Sequence, residues 1–512
     1  MAGDTQGQGS PEKLEPFPRL VKKRVKVKMK KKSETNNIPP QFYWTRFGGE
    51  YLLTNDSGEH AVLTPAQFTL FSTGGGLPSK GRKYAELQAK GFIRDRLDFE
   101  DQAAKWGRSN AYLRRGPSLH IMVITLRCNH KCLYCQAGAA GAAARGTDMS
   151  LSTVRKSLDF ILSAPGKGLT VEFQGGEPLL NWAALKEAVI YGERKATAAG
   201  KEIKFALVSN FSLMTEEKAS FLILHGVALC TSLDGPANLH DRNRPLRAGG
   251  GGSHVLTVKW IKYFRKRCGK NSDCGPSALL TVSRYSLGRE KDIIEEYVRL
   301  GISSIFVRPL TPIGFARSTW DEIGCASGEF AEFYRKSLAC IVELNKKGVV
   351  LKEKTAFLIL KKVLDFKDNK YVDLRCPCGA GLGQLTYNFN GDIYTCDEAR
   401  MLAWQGDPLF KTGNVFKDTY FRVVSSAAVK ACAAASILDS QPMCARCVWR
   451  PYCGVCPVYN YQTQSSLWGY MPANERCKLF KTIFKTVFIL LKDEMASQKV
   501  FRKWVSPDPF RP

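Results

Sequence analysis

Between residues 118 and 308, six short apolar runs alternate with longer amphipathic stretches, and few folds accommodate that repeat. The runs are LHIMVIT, LTVEFQ, IKFALVS, VALCTSL, ALLTV and SSIFVR, each rich in β-branched or aromatic residues and short enough to be a buried strand. The intervening residues Ser152–Ser163, Trp182–Ala198, Thr215–His225 and Arg289–Leu300 carry helical periodicity. Strand and helix in strict alternation predict an α/β fold, a parallel sheet with helices packed outside. Six units are too few to close an eight-stranded barrel, so a partial (β/α)6 barrel is the expected form. Such sheets place ligands at the C-terminal ends of their strands. The most distinctive motifs of this chain follow directly after strands.

The flanking regions differ in character. Residues 1–39 are rich in Lys, Gly, Ser, Asn and Pro and read as a disordered basic tail, with VKKRVKVKMKKK from Val21 to Lys32 as a solvated charge run. Residues 40–115 read as a small α+β module. FYWTRF and EYLLTN form a hairpin across Gly48–Gly49, HAVLT adds a third strand, and helices begin near Pro65 and Lys80. Strands followed by helices suit a winged-helix-like unit that recognises a peptide. The barrel is assigned to 116–365, a cysteine-rich domain to 366–485, and a C-terminal helix and tail to 486–512, with Lys478–Lys499 amphipathic. No run of eighteen apolar residues and no apolar leader is present, so a cytoplasmic chain with no membrane span is expected. A formal charge of +28 favours an acidic partner such as a peptide; nucleic acid is not expected.

Of the seventeen cysteines, eleven fall into tight groups, which in a chain without a secretion signal points to metal or clusters rather than disulfides. The first group is Cys128, Cys132 and Cys135 in LRCNHKCLYCQAG, spaced C-x3-C-x2-C after the first barrel strand. Three thiolates on one loop can hold three irons of a cubane and leave the fourth open to the amino and carboxylate groups of S-adenosylmethionine. A zinc site completed by a residue such as His130 is the plainer alternative. Tyr134 could pack on an adenine. After the second strand come Gly175, Gly176, Glu177 and Pro178, where glycines permit close backbone approach and a carboxylate can take an ammonium. After the third come Ser209 and Asn210, suited to ribose hydroxyls, and after the fourth Ser232, Asp234 and Gly235.

Together these residues resemble the radical SAM superfamily over about 190 residues. The resemblance implies a SAM-binding [4Fe–4S] cluster on Cys128, Cys132 and Cys135, and SAM contacts at Gly175, Gly176, Glu177, Pro178 and Ser209. SLDGPANLHDRNR resembles the peptide-modifying branch, which implies a SAM-carboxylate contact at Arg244. The remaining eight cysteines are Cys376, Cys378, Cys396, Cys444, Cys447, Cys453, Cys456 and Cys477. Asn390-Gly391 predicts a two-residue hairpin that brings Cys378 and Cys396 together. Eight ligands suit two four-cysteine clusters, or zinc knuckles.

This second region resembles the SPASM domain of radical SAM peptide maturases, although Cys453 and Cys456 are separated by two residues rather than three and the Cys376/Cys378 pair is unusually close. By that resemblance one auxiliary cluster takes Cys376, Cys378, Cys396 and Cys456, and the other Cys444, Cys447, Cys453 and Cys477. Asp397 matches a position that serves as general base in sulfatase maturases; turn residue is the plainer role. FQGGEPLLN, RPLTPIGFA, CPCGAGLGQLTYNFNGDIYTCDEARML and CGVCPVYNY are similar to the maturase B branch of the His-Xaa-Ser peptide systems. That resemblance implies a ribosomally made peptide substrate, a second radical SAM maturase as partner and an external electron donor of flavodoxin or ferredoxin type. The implied activity is reductive cleavage of SAM to a 5′-deoxyadenosyl radical that removes a hydrogen atom from the peptide. An anaerobic sulfatase-maturing enzyme that makes formylglycine, and an iron–sulfur electron carrier or scaffold without SAM turnover, are the alternatives.

Overall fold

The computed structural model describes residues 41–506 except 74–76, 95–96, 250, 269–274, 369–370 and 494; the tail read at 1–39 lies outside the described residues. At its start, β1 (Tyr43–Phe47), β2 (Glu50–Thr54) and β3 (His60–Leu63) form an antiparallel meander. Helices Pro65–Ser72 and Arg82–Ala89 follow as expected, and a third helix, Phe99–Ser109, follows them that the sequence analysis does not anticipate. Thr64 sets the first helix start: its hydroxyl accepts from the Gln67 N–H, the Gln67 side chain accepts from the Thr64 N–H, and Pro65 occupies the first turn. One face of the meander builds a small core from Leu53, Ala61, Leu63, Phe71, Leu87 and Phe92. The other sends Tyr43, Phe47 and Leu52 into the main core shared with the C-terminal helices. Thr54 donates to the Val448 carbonyl and Tyr452 to that of Gly58, so the module is bolted to the cysteine-rich region.

The six expected barrel strands are all present. They are β4 (Leu119–Thr125), then after the short β5 (Arg127–Cys128) and β6 (Ala140–Gly141), β7 (Gly168–Gly175), β8 (Glu202–Ser209), β9 (Ala228–Ser232), β10 (Ser277–Val282) and β11 (Ser304–Pro309). They pair in parallel in the order 4-7-8-9-10-11, and a two-residue β12 (Lys352–Glu353) extends the far edge. Along β7, Leu169, Val171 and Phe173 are buried against the outer helices while Glu172 and Gln174 keep partial exposure on the inner face, the alternation of a strand between core and lumen. Helices Ser253–Cys268, Ser327–Lys346 and Lys354–Leu364 complete the outer layer.

The near edge of β4 is covered by the cysteine-rich region itself. β13 (Gln384–Tyr387) pairs in parallel with β4, Gln384 opposite Leu119 and Tyr387 opposite Met122, and β14 (Asp392–Tyr394) and β15 (Lys411–Asn414) continue antiparallel, giving one ten-stranded sheet. The hairpin expected at Asn390-Gly391 exists, but not in two-residue form. Asn388 donates to the Asp392 carbonyl and Gly391 to that of Asn388, and Gly391 alone in the turn has positive φ, 85°. A two-residue type I′ turn needs positive φ at both central residues; here Phe389 and Asn390 stay on the ordinary side and glycine takes the bulge position. Two helices, Glu475–Asp493 and Met495–Val505, close the chain over the core.

Three of the six histidines, His120, His130 and His240, are almost wholly buried, and burial pushes His120 down to about 3, His130 down to about 4 and His240 well below the usual range. Each is neutral when folded and free to protonate when unfolded. Stability is therefore full above the unfolded value near 6.5 and falls as pH drops toward the folded values, by about 1.4 kcal/mol per pH unit for each histidine. The urea midpoint is expected to be lower at pH 5.5 than at pH 7.5. An unchanged midpoint would show that these side chains already find protonation partners.

Candidate functional site

The C-x3-C-x2-C loop begins at Cys128, the last residue of β5 just past β4, and is tied down from three sides. Leu133 and Lys131 donate their N–H groups to the carbonyls of Asn243 and Pro245, and Arg247 donates to those of His130 and Ala139. From the next strand, Gly176 donates to the Thr125 carbonyl and Glu177 to that of Arg127. The glycines are required by this packing. A Cβ on Gly175 would stand 2.1 Å from the Thr125 oxygen and one on Gly176 2.2 Å from the Arg127 oxygen, and Gly175 has φ +130°. Their close approach is thus to the cysteine loop.

Glu177 joins the motifs that follow β7 and β8. Its carboxylate accepts from Ser209 Oγ at 2.8 Å, from the Asn210 N–H at 2.8 Å and from the Leu179 N–H at 3.1 Å, and it is 1% exposed. Burial holds its carboxyl above the ordinary range, against the pull of those donors. Asn210 in turn donates to Asn129 Oδ1, Asn129 to Ser212 Oγ, and His130 Nε2 meets Ser212 Oγ at 3.1 Å. A carboxylate expected to face a ligand therefore acts as an internal strap between two strand ends and the cysteine loop. His130 meets Ser212 through Nε2 alone. Sequence reading missed Asn129, Ser212 and Arg247 because single polar residues in loops carry no pattern.

After β9, Asp234 accepts from Arg244 Nε at 3.1 Å and from the Tyr134 hydroxyl. The Arg244 guanidinium lies 5.0 Å from the centre of the Tyr134 ring and its Nη1 is 3.9 Å from Cys132 Sγ. Three residues singled out separately thus form one buried triad against the Cys132 thiol. Ser232 ends β9 partly buried, and Pro178 opens a short 3-10 turn.

The eight later cysteines form two neighbourhoods. Cys378, Cys396 and Cys456 share an apolar core with Ile313, Tyr394 and Leu402. Cys376, Cys444, Cys453 and Cys477 pack on Leu438, Val455 and Met471, and Cys447 joins three of these around a pocket that Cys456 also lines. Cys376 therefore sits with the second set, away from the partners implied for it. All described cysteines are free thiols. Burial raises most of them, Cys132, Cys444 and Cys456 to about 12, so they hold their protons until a metal replaces them. Backbone N–H groups of His130, Leu438 and Tyr459 point at Cys128, Cys376 and Cys456 Sγ at 3.4 Å, the polarity a thiolate needs. Among the described residues no three His, Cys, Asp or Glu side chains converge to single-ion distance, so packing in common pockets gathers these thiols. In chemistry the three sets of thiols suit iron–sulfur clusters.

Asp397 follows Cys396 at the start of helix Asp397–Trp404, half-buried, with Oδ1 3.4 Å from Arg400 Nε; Arg400 also donates to the Ala137 carbonyl just past the cysteine loop. Burial raises the Glu172 carboxyl on β7, and the charge of Asp397 adds to that rise. Glu398, beside it, lines a second cavity with Arg308, Tyr371, Asp373, Cys456 and Arg476.

Two substitutions test the strap. Glu177→Gln sets an amide N–H against donors and is expected to cost about 1–3 kcal/mol in urea unfolding. Gly176→Ala is expected to cost at least as much through backbone collision, whereas Gly141→Ala, with nothing within 4 Å of its Cβ, serves as the neutral control. Equal stability of Gly176→Ala and Gly141→Ala would contradict this packing.

Comparison with known proteins agrees with this geometry. Residues 122–275 match the family model described as the Radical SAM superfamily. An uncharacterised protein of Methanothermobacter thermautotrophicus is 26% identical over 189 residues, 36% of this chain and 66% of that one. A cysteine-type anaerobic sulfatase-maturating enzyme of Clostridium perfringens is 28% identical over 130 residues, 25% of this chain and 35% of that one. The chain thus spans less than two thirds of the length of these relatives. Among solved structures, native anSMEcpe with bound AdoMet superposes with a TM-score of 0.61 at 17% identity, covering 75% of this chain and all of that one. Streptococcus suis SuiB bound to precursor peptide SuiA superposes with 0.53 at 14% identity, covering 86% and 98%. The chain carries a radical SAM domain, built as a partial barrel and followed by a cysteine-rich C-terminal region, on a fold shared with anSMEcpe and SuiB.

Proposed function

We propose that this chain is a radical SAM peptide maturase. Cys128, Cys132 and Cys135 would hold the SAM-binding [4Fe–4S] cluster, and the other eight grouped cysteines two auxiliary clusters. The observation that carries this reading is the single hydrogen-bonded unit in which Glu177 joins the strand ends after β7 and β8 to the cysteine loop while Arg244 rests on Cys132. When bound, a reduced cluster and SAM supply one-electron chemistry able to take a hydrogen atom from an unactivated carbon.

The chain's own residues do the rest. Asp234 and Tyr134 hold Arg244 as a fixed cation beside the cluster thiol, where it can also meet a carboxylate. Gly175 and Gly176 keep the floor of the site at backbone level. Asp397, adjacent in sequence to the auxiliary ligand Cys396, would take the proton that an oxidised substrate carbon loses. A ribosomally made peptide with His-Xaa-Ser repeats is the substrate favoured by the motifs, with a second maturase and an external reductant as partners; the likeness to a structure holding a precursor peptide supports a peptide. A sulfatase-maturing role is the second reading, supported by the matches to the Clostridium perfringens enzyme and to anSMEcpe. No helix among the described residues is long and apolar enough to cross a membrane.

The module at 40–115 is proposed to capture the leader of that peptide by strand addition. The carbonyls of His60 and Val62 on β3 already accept from Lys90 and Lys83, which favours the β1 edge, where Trp44 is 50% exposed beside Tyr51 and Phe68. Because Tyr43, Phe47 and Leu52 belong to the main core, removing residues 1–115 would unfold more than it tests. Trp44→Ser is expected to raise the peptide KM while leaving uncoupled SAM cleavage unchanged; an unaltered KM would reduce the module to a packing unit.

Anaerobic reconstitution is expected to load about twelve irons per chain and to yield 5′-deoxyadenosine from SAM. Replacing Cys128, Cys132 and Cys135 with Ala should remove about a third of the iron and all of the product. A plateau near four irons with tightly held zinc would contradict the auxiliary clusters. Asp397→Asn should keep the clusters and 5′-deoxyadenosine formation but modify little peptide; full modification by that variant would leave Asp397 as a turn residue.

A further inference from the structure

The strand ladders identify which side chains share the inner face of the barrel. Residues paired across parallel strands lie on one face, so Glu172 opposite Ala206, Ala206 opposite Ala228, Cys230 opposite Ser277 and Thr281 opposite Arg308 carry a single face from β7 to β11. The alternate residues Ile305 and Val307 are buried in the main core. Arg308 therefore stands on the inner face, at the C-terminal end of β11. The loop that follows is fastened to the cysteine loop: the Phe315 N–H donates to the Cys135 carbonyl at 2.9 Å, and Gln136 Nε2 to that of Thr311 at 3.0 Å. Arg308 and Thr311 line a pocket whose other walls include Asp373, Glu398, Cys456 and Arg476. It lies between the loop fastened to Cys135 and the first auxiliary cysteine set. Its four charged residues do not all pair off. Arg476 and Asp373 form an ion pair at 2.7 Å. Arg308 and Glu398 remain, both partly accessible, and neither forms an ion pair with the other or with any third described residue. The guanidinium of Arg308 lies only over the Phe306 ring, 5.6 Å from its centre.

A charge left alone in a pocket becomes costly once a ligand excludes water from it. A pocket with only a cation selects carboxylates, and one with only an acid selects amines. One of each, held apart, is satisfied best by a neutral group that accepts at one end and donates at the other; a ligand that meets one of them alone leaves the second desolvated and unpaired. Among side chains, the carboxamides and the neutral imidazole carry an acceptor and a donor on separate atoms. We propose that Arg308 and Glu398 clamp one side chain of the peptide substrate between the barrel loop and the first auxiliary set, and that this side chain is an imidazole or a carboxamide, accepting from Arg308 and donating to Glu398. The proposal rests on the peptide-maturase reading above and adds to it the two residues that choose the side chain seated there.

The test uses the full chain, reconstituted anaerobically, and calorimetric titration with acetylated, amidated peptides Gly-Ala-X-Ala-Gly in which X is His, Gln, Asp, Lys or Leu. At about pH 8 the His probe is neutral. The His peptide, the Gln peptide or both are expected to bind about tenfold tighter than the other three, and which of the two does so tells imidazole from carboxamide. Glu398→Gln leaves Arg308 alone and is expected to turn the preference to the Asp peptide. Arg308→Gln leaves Glu398 alone and is expected to turn it to the Lys peptide. Either switch supports the clamp, because a residue needed only for packing would weaken all five peptides alike. A wild-type chain that binds the five equally or ranks Asp, Lys or Leu first, or variants that keep the wild-type order, would overturn this proposal alone. A wild-type chain that binds none of the five would overturn the peptide reading and this proposal with it.

Discussion

The arrangement of the whole molecule depends on β4 being paired in parallel on both edges, with β7 on one side and β13 on the other. β4 delivers Cys128, β7 delivers the glycines and Glu177, and β13 begins the hairpin that ends at Cys396. A parallel ladder fixes register along its length, and a slip of one residue would turn every inward side chain outward. The barrel cysteine loop and the first auxiliary set are therefore held in a common frame. Arg400 adds a second tie, reaching from the helix after Cys396 to the Ala137 carbonyl.

Within that frame the site is preorganised by hydrogen bonds that face inward. Glu177, Asp234 and Arg244 are all nearly inaccessible and engaged with one another's loops. Such groups resist motion, because breaking any one contact leaves a buried polar atom without a partner. Glu172, Asp397, Glu398 and Arg308, by contrast, are only partly buried.

Much of this was legible in the sequence. The six strands announced themselves because alternation of short apolar runs and helical stretches is a local signal, and the cysteine loop and its companion motifs stood out by spacing. Three things were not legible. The pairing of β13 with β4 joins residues more than 260 apart, and no local pattern records it. The role of Glu177 depended on which partners its carboxylate meets; residue type suggested a ligand contact, while the structure gives it Ser209 and Asn210. Cys376 lies two residues from Cys378, yet the two thiols pack in different pockets, which spacing alone could not reveal. The Asn390-Gly391 turn was correctly located but wrongly typed, since the same dipeptide serves both a two-residue turn and a bulged one.

The central claim is that the loop of Cys128, Cys132 and Cys135 binds a cluster that SAM touches directly. EPR of the reduced, reconstituted chain with and without SAM tests this without requiring a peptide. SAM is expected to change one of the cluster signals and leave the others as they were, and that signal should be missing when the three cysteines are replaced by Ala. A spectrum indifferent to SAM, or a SAM-sensitive signal that survives the triple replacement, would contradict the account.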